Sequence, residues 1–276
     1  MVNTVTIKQE QLRRGFCKVG NGATKILLIG SCRSVPYVNY FTHIGDFTIY
    51  TLDPFNWNWD IADNRVDVEA SINAQENNAA LLEVIRSCDI FIHEYYRNFG
   101  MFNTFRESEK NIYQFGVNAK IDLCLPNYHD VFVLFNDIIR FTPDIKAAAI
   151  ADFTAIGGLG SSTIERILEL RDSNLERFYN VCEKTSFPEF ADYFKSHHLD
   201  ERMYWTYNHV SNAFTFPLFW AILQRMGITP TQHQIERVKA TPDIFANNYT
   251  HLTEYDVRYS GYKWNEAVTK LNPWAV

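Results

Sequence analysis

The sequence predicts an α/β protein, a mostly parallel sheet flanked by helices and continued by a helical C-terminal elaboration. Three observations predict it. Short apolar runs recur at 26–29, 47–50, 90–92 and 121–125, each of a length that suits a buried strand. The stretches between them carry apolar residues at helical spacing, the alternation that places helices on the faces of a parallel sheet. From about residue 157 the apolar spacing is mainly helical.

Residues 1–24 are polar and include the turn Gly20-Asn21-Gly22; they read as a lead-in to a single domain over 25–276. Ile26-Leu27-Leu28-Ile29 is the first strand, and Gly30-Ser31-Cys32-Arg33-Ser34 ends it. Pro36 follows where the first turn of a helix tolerates proline, so Cys32 is expected at a strand-to-helix turn. The helix over 35–44 carries Val35, Val38 and Phe41, and 47–50 then completes a βαβ unit. Segment 53–60, with Trp57 and Trp59, reads as a loop whose rings stack on a sugar or base, or cover a core edge. A helix is expected over 72–87, and the strand at 89–92 ends by delivering His93 and Glu94. In open α/β sheets ligands gather at the carboxyl ends of strands, so His93, Glu94 and Cys32 are expected to face one crevice.

A helix over 105–115 and a strand over 121–125, stopped by Pro126-Asn127, come next, while 131–135 fits either strand or helix. Gly157-Gly158-Leu159-Gly160 is a break without the Lys-Ser/Thr of a phosphate loop. Ser161 or Ser162 caps the next helix, to Cys182, and a further helix covers 188–198. Tyr207-Asn208-His209-Val210-Ser211-Asn212 leads into an apolar helical stretch ending near Met226-Gly227, which sets His209 on a connection.

Composition narrows the function classes. Hydrophobic residues make up 46% of the chain, which suits a globular protein, and the net charge of −6 gives no general attraction to nucleic acid. No apolar run approaches the roughly 18 residues that cross a bilayer. The five cysteines, at 17, 32, 88, 124 and 182, are odd in number and form no C-x-x-C pair, the usage expected of reduced cytoplasmic thiols. No His-Glu-x-x-His spacing appears, and no metal site is expected.

Two residue sets carry chemistry. A thiol at a helix N-terminus meets unpaired N–H groups and positive potential, which favour a thiolate and later an oxyanion. A cysteine after a core strand is more often an ordinary small buried residue than a nucleophile. His209 supplies a base, or the cation that stabilises a thiolate. Cys32 and His209 are therefore expected to share a cleft.

A strand ending in Gly30-Ser31-Cys32-Arg33, with Tyr204-Trp205-Thr206-Tyr207-Asn208-His209 much later and an apolar helix after it, resembles the WcbI-like family of polysaccharide-biosynthesis proteins. In that family a Gly-Asn-Cys-Gln-like turn follows the first strand and a Thr-x-Asn-His-Pro-like segment comes near the end. Gly30 and Cys32 match the first motif, and Asn208 and His209 the second. Ser31, Arg33 and Val210 stand where the family has Asn, Gln and Pro.

The resemblance implies an SGNH-hydrolase-like α/β fold, coenzyme A or acyl-CoA as co-substrate, and transfer of an acyl group to a sugar or polysaccharide hydroxyl. On that reading Cys32, Ser31 and His209 are the catalytic candidates, with turn amides near Arg33 to hold the oxyanion. Gly30, Arg33, Ser34 and Asn208 are candidates to hold the cofactor, Arg33 by pairing with its phosphates. His93, Glu94, Tyr207 and Asn212 are candidates for the acceptor. Two alternatives stay open: an SGNH-like esterase using Ser31 or Cys32, and a ligand-binding protein without turnover.

Overall fold

The computed structural model describes residues 16–52, 84, 86–95, 119–128, 131–247 and 249–276. The aromatic segment 53–60, most of the expected helix 72–87 and the expected helix 105–115 lie outside the described residues.

Among the described residues β1 (Phe16–Val19), β2 (Thr24–Ile29), β3 (Phe47–Leu52), β4 (Ile90–Glu94) and β5 (Ile121–Leu125) form one sheet in the order β1-β3-β2-β4-β5. β2 pairs in parallel with β3 and β4, and β4 with β5. β1 pairs antiparallel with β3, so the polar stretch that reads as a lead-in contributes an edge strand. Ile26, Leu27, Phe91 and Ile92 are wholly buried at the sheet centre. Strands buried on both faces read as near-continuous apolar runs, which is why these segments are visible in the sequence. Ile29 lies beside His93, so β2 and β4 end on the same edge of the sheet.

By contacts the chain forms two compact units. The first takes in the described residues up to Asn127 with Thr185–Phe187 and Leu218–Pro242. Its helix α1 (Val35–Ile44) follows β2, with Val35, Val38 and Phe41 buried. The Phe41 ring meets Phe47 edge-on at 5.5 Å and Phe219 at 5.0 Å. Gln234 and Arg237 both reach α1, the first donating to the Ile44 carbonyl and the second to His43 Nδ1 at 3.0 Å. Ser186 covers part of β5, its N–H donating to the Cys124 carbonyl at 2.9 Å and its hydroxyl accepting from the Cys124 N–H at 2.9 Å.

The second unit comprises Tyr128–Lys184, Pro188–Pro217 and Asp243–Val276. It contains α2 (Phe135–Phe141), α3 (Pro143–Ile156), α4 (Ser161–Glu183), α5 (Phe190–His197) and the hairpin β6 (Tyr204–Thr206) and β7 (His209–Val210). Helix α6 (Asn212–Arg225) begins in this unit, and α7 (Gln232–Lys239) belongs to the first. Phe135, Ile138, Ile139, Ile145, Ile164 and Ile167 make one core cluster. The ring of Tyr128 gathers another, with Phe178, Phe194, Tyr204 and Phe214. Segment 131–135, which the sequence leaves open between strand and helix, is irregular up to the start of α2 at Phe135. Gly160, not Ser161 or Ser162, is the N-cap of α4, and its N–H donates to Asp152 Oδ2 at 2.9 Å.

Asp137 on α2 is buried, with Oδ1 accepting from the Thr250 hydroxyl at 2.8 Å. Burial pushes its pKa up from 3.8 to about 7; Thr250 opposes the shift, Asp256 adds to it, and Arg140 and Arg202 oppose it. The folded chain therefore holds this proton more tightly than the unfolded chain. The stabilisation is fully present below the unfolded pKa and is lost as pH rises through the folded one. Unfolding measured in urea between about pH 4 and about pH 7 should show this as a loss of up to about 1.4 kcal/mol per pH unit. Asp137→Asn should lose less, and least near pH 7, because burial also raises Asp256, to about 6, and that group still contributes.

Candidate functional site

The first set of candidates sits where β2 turns into α1. Cys32–Ser34 form a single 3₁₀ turn with Ser31 as its N-cap, and α1 follows with Pro36 in its first turn. The Ser31 side chain accepts from the Arg33 N–H at 3.4 Å, the Ser34 N–H donates to the Ser31 carbonyl at 2.9 Å, and the Val35 N–H donates to the Cys32 carbonyl. The amides of Arg33, Ser34 and Val35 are thus engaged within the turn. They are the expected oxyanion donors, and the turn already uses them.

Glu94 holds this turn from the neighbouring strand. Its Oε2 lies 3.2 Å from Arg33 Nη2, and it accepts long hydrogen bonds from the Ser31 hydroxyl at 3.4 Å and the Ser31 N–H at 3.5 Å. The ion pair is buried, with side-chain exposures of 6% for Arg33 and 4% for Glu94. Gly30 is what lets the carboxylate come so close, because a Cβ there would stand 3.0 Å from Glu94 Oε1 and 2.8 Å from the Ser34 Cβ. Arg33, expected to meet cofactor phosphates, has its guanidinium on Glu94; the Ser31 hydroxyl donates to Glu94 and accepts from the Arg33 N–H, and the Ser34 hydroxyl donates to the Ser31 carbonyl.

His93 and Glu94 do not share a crevice wall, since successive side chains on a strand point to opposite faces. His93 lies in register with Cys124 and stacks on Phe91 at 5.0 Å, with Nε2 3.5 Å from Asp122 Oδ1. Burial disfavours its imidazolium, but Cys124 and Asp122 outweigh burial and raise its pKa above the ordinary value.

Cys32 differs from Cys88, Cys124 and Cys182. Its side chain is half-buried, whereas those three are buried. Burial pushes the Cys88 and Cys182 thiols up to about 11 and about 12, which keeps them protonated and unreactive.

The second set of candidates is in the second unit. His209 opens β7 and is paired with Thr206 of β6, so it lies on a short hairpin and not on an open connection. Its Nδ1 is 3.2 Å from the Thr206 hydroxyl, and its ring stacks on Phe245 at 4.3 Å. Asn208 accepts from the Thr206 hydroxyl at 2.8 Å. Tyr207 packs between Phe132 and Phe141, at 5.1 and 4.5 Å. Asn212 opens α6, its N–H donating to Asp243 Oδ2 at 2.7 Å.

The structure therefore gathers Gly30, Ser31, Cys32, Arg33, Ser34 and Glu94 in one unit and Tyr207, Asn208, His209 and Asn212 in the other. Thr206 and Phe245, which touch the imidazole, are not among the candidate site residues. Thr206 stands at the Thr of the Thr-x-Asn-His-like segment, and that is the available signal for it; Phe245 becomes a neighbour only through the fold. Among the described residues no three His, Cys, Asp or Glu side chains form a metal-binding group, and no helix is long and apolar enough to cross a membrane.

Sheet and helices define the class: a mixed α/β protein whose mostly parallel sheet carries a cysteine at a strand-to-helix turn. The particular fold is WcbI-like. A solved structure of WcbI, described as a novel polysaccharide biosynthesis enzyme in a native form without a disulfide bond between coenzyme A and a cysteine, superposes with a TM-score of 0.54. The match covers 88% of this chain and 81% of that one at 14% identity. At that identity the likeness is one of fold. No family model and no curated protein matches the sequence.

Proposed function

We propose that this protein is a CoA-dependent acyltransferase that moves an acyl group from an acyl-CoA to a sugar or polysaccharide hydroxyl, acting in the cytoplasm on an SGNH-like scaffold. The observation that carries the reading is the half-buried Cys32 at the strand-to-helix turn, where Cys88, Cys124 and Cys182 are buried. The WcbI-like fold adds support, because the WcbI structure is described in terms of coenzyme A and a cysteine. Either Cys32 lines the thioester pocket while the acceptor hydroxyl attacks the thioester carbonyl, or Cys32 attacks it to give an acyl-cysteine that the hydroxyl then attacks. In both routes the acyl C–S bond to coenzyme A breaks, His209 takes the hydroxyl proton, and coenzyme A leaves as the thiolate or thiol.

Arg33 and Glu94 act in this reading by shaping the turn, and Ser31 by capping it. The esterase alternative that uses Ser31 as nucleophile has less support, since that hydroxyl already donates to Glu94 and receives the Arg33 N–H. Isothermal titration with coenzyme A is the test. Saturable heat, weakened in Cys32→Ala, is the expected result; no heat and no thermal shift at millimolar coenzyme A would remove the basis for acyl transfer.

A further inference from the structure

The hydrogen bonds around His209 decide which ring nitrogen carries its proton. The Thr206 hydroxyl has a single hydrogen, and it donates to Asn208 Oδ1 at 2.8 Å. The same oxygen accepts from the Asn208 N–H at 3.4 Å and lies 3.2 Å from His209 Nδ1. With its hydrogen committed to Asn208, the hydroxyl can offer Nδ1 only a lone pair. That arrangement suits a protonated Nδ1, with the lone pair of a neutral imidazole on Nε2.

Three features hold that geometry. Thr206 is paired with His209 across the β6–β7 hairpin. Threonine is β-branched, so its χ1 is stiff. The Phe245 ring lies nearly parallel to the imidazole, at 16° and 4.3 Å, and fixes its plane.

We propose that Thr206 is a positioning residue that, with Asn208 as acceptor, holds neutral His209 in the Nδ1–H tautomer and so makes Nε2 the basic nitrogen. The inference deepens the acyltransferase reading and rests on it only for the use made of the base. The tautomer itself is a property of the hairpin.

Long-range ¹H–¹⁵N correlation spectra of the full chain with ¹⁵N-histidine, recorded above the His209 pKa and assigned with His209→Gln, test it. The expected spectrum has a protonated Nδ1 and an unprotonated Nε2. Thr206→Val should shift the population toward Nε2–H, Thr206→Ser should restore the wild-type pattern, and Asn208→Ala should act like Thr206→Val by releasing the hydroxyl hydrogen. A wild-type spectrum with Nε2–H overturns the proposal whether or not any variant folds, and so does a folded Thr206→Val that keeps the wild-type tautomer. In turnover, Thr206→Val should lower kcat by about 100-fold with coenzyme A affinity unchanged, the loss expected when a base is misprotonated. If the protein transfers no acyl group while the spectrum shows Nδ1–H, the acyltransferase reading fails and the tautomer assignment stands.

Discussion

Glu94→Ala should destabilise the protein by about 3–5 kcal/mol, because it leaves the Arg33 guanidinium buried without its carboxylate. The same change removes the acceptor of the Ser31 hydroxyl and N–H, so the turn that carries Cys32 loses its tie to β4. Two causes are separable. Arg33→Met with Glu94→Leu removes both charges and keeps side-chain volume, and it should recover most of the lost stability. It should not recover Cys32 reactivity, if the carboxylate is what sets the turn. Urea midpoints give the first quantity and the rate of thiol alkylation the second. A loss below about 1 kcal/mol in Glu94→Ala would show that the pair behaves as a solvated surface pair.

Cys32→Ala and His209→Ala should each lower acyl transfer by about 100-fold or more, with unfolding midpoints close to wild type. If both residues serve one step, the double variant should lose little more than either single variant, since groups acting as a unit are not additive. Additive losses would mean that the two centres act independently. Full activity in Cys32→Ala with low activity in His209→Ala would place the chemistry in direct attack by the acceptor hydroxyl, with no covalent intermediate on the enzyme. Steady-state rates with an acyl-CoA and a range of sugar acceptors supply the comparison.

The β2-turn-α1 unit is legible in the sequence because its signals are local: an apolar run, then Gly30, then Pro36 in the first helical turn. The parallel pairing of β2 with β4 follows from strand and helix alternation. Arg33 is harder. Glu94, which pairs with it, is 61 residues away, and no local pattern joins the two. His93 and Glu94 are adjacent, and strand alternation alone is enough to separate them. The hairpin around His209 hides behind short segments with one register irregularity, too brief for periodicity to register. Helix α3 has local signals that the apolar pattern does not use, since Pro143 opens it and Gly157, at φ 71°, closes it. Helix α7 carries a capping box at Thr231 and Gln234 that marks its start just as clearly.

The reach of Gln234 to Ile44 and of Arg237 to His43 spans 190 and 194 residues of chain. During synthesis β2, α1 and β3 leave the ribosome long before α7 exists, and the intervening chain includes most of the second unit. The first unit therefore completes late, by closing a long loop whose entropic cost grows only with the logarithm of its length. A nascent chain halted before residue 232 lacks α7 and so leaves the His43 ring and the Ile44 carbonyl of α1 without the contacts that Arg237 and Gln234 supply.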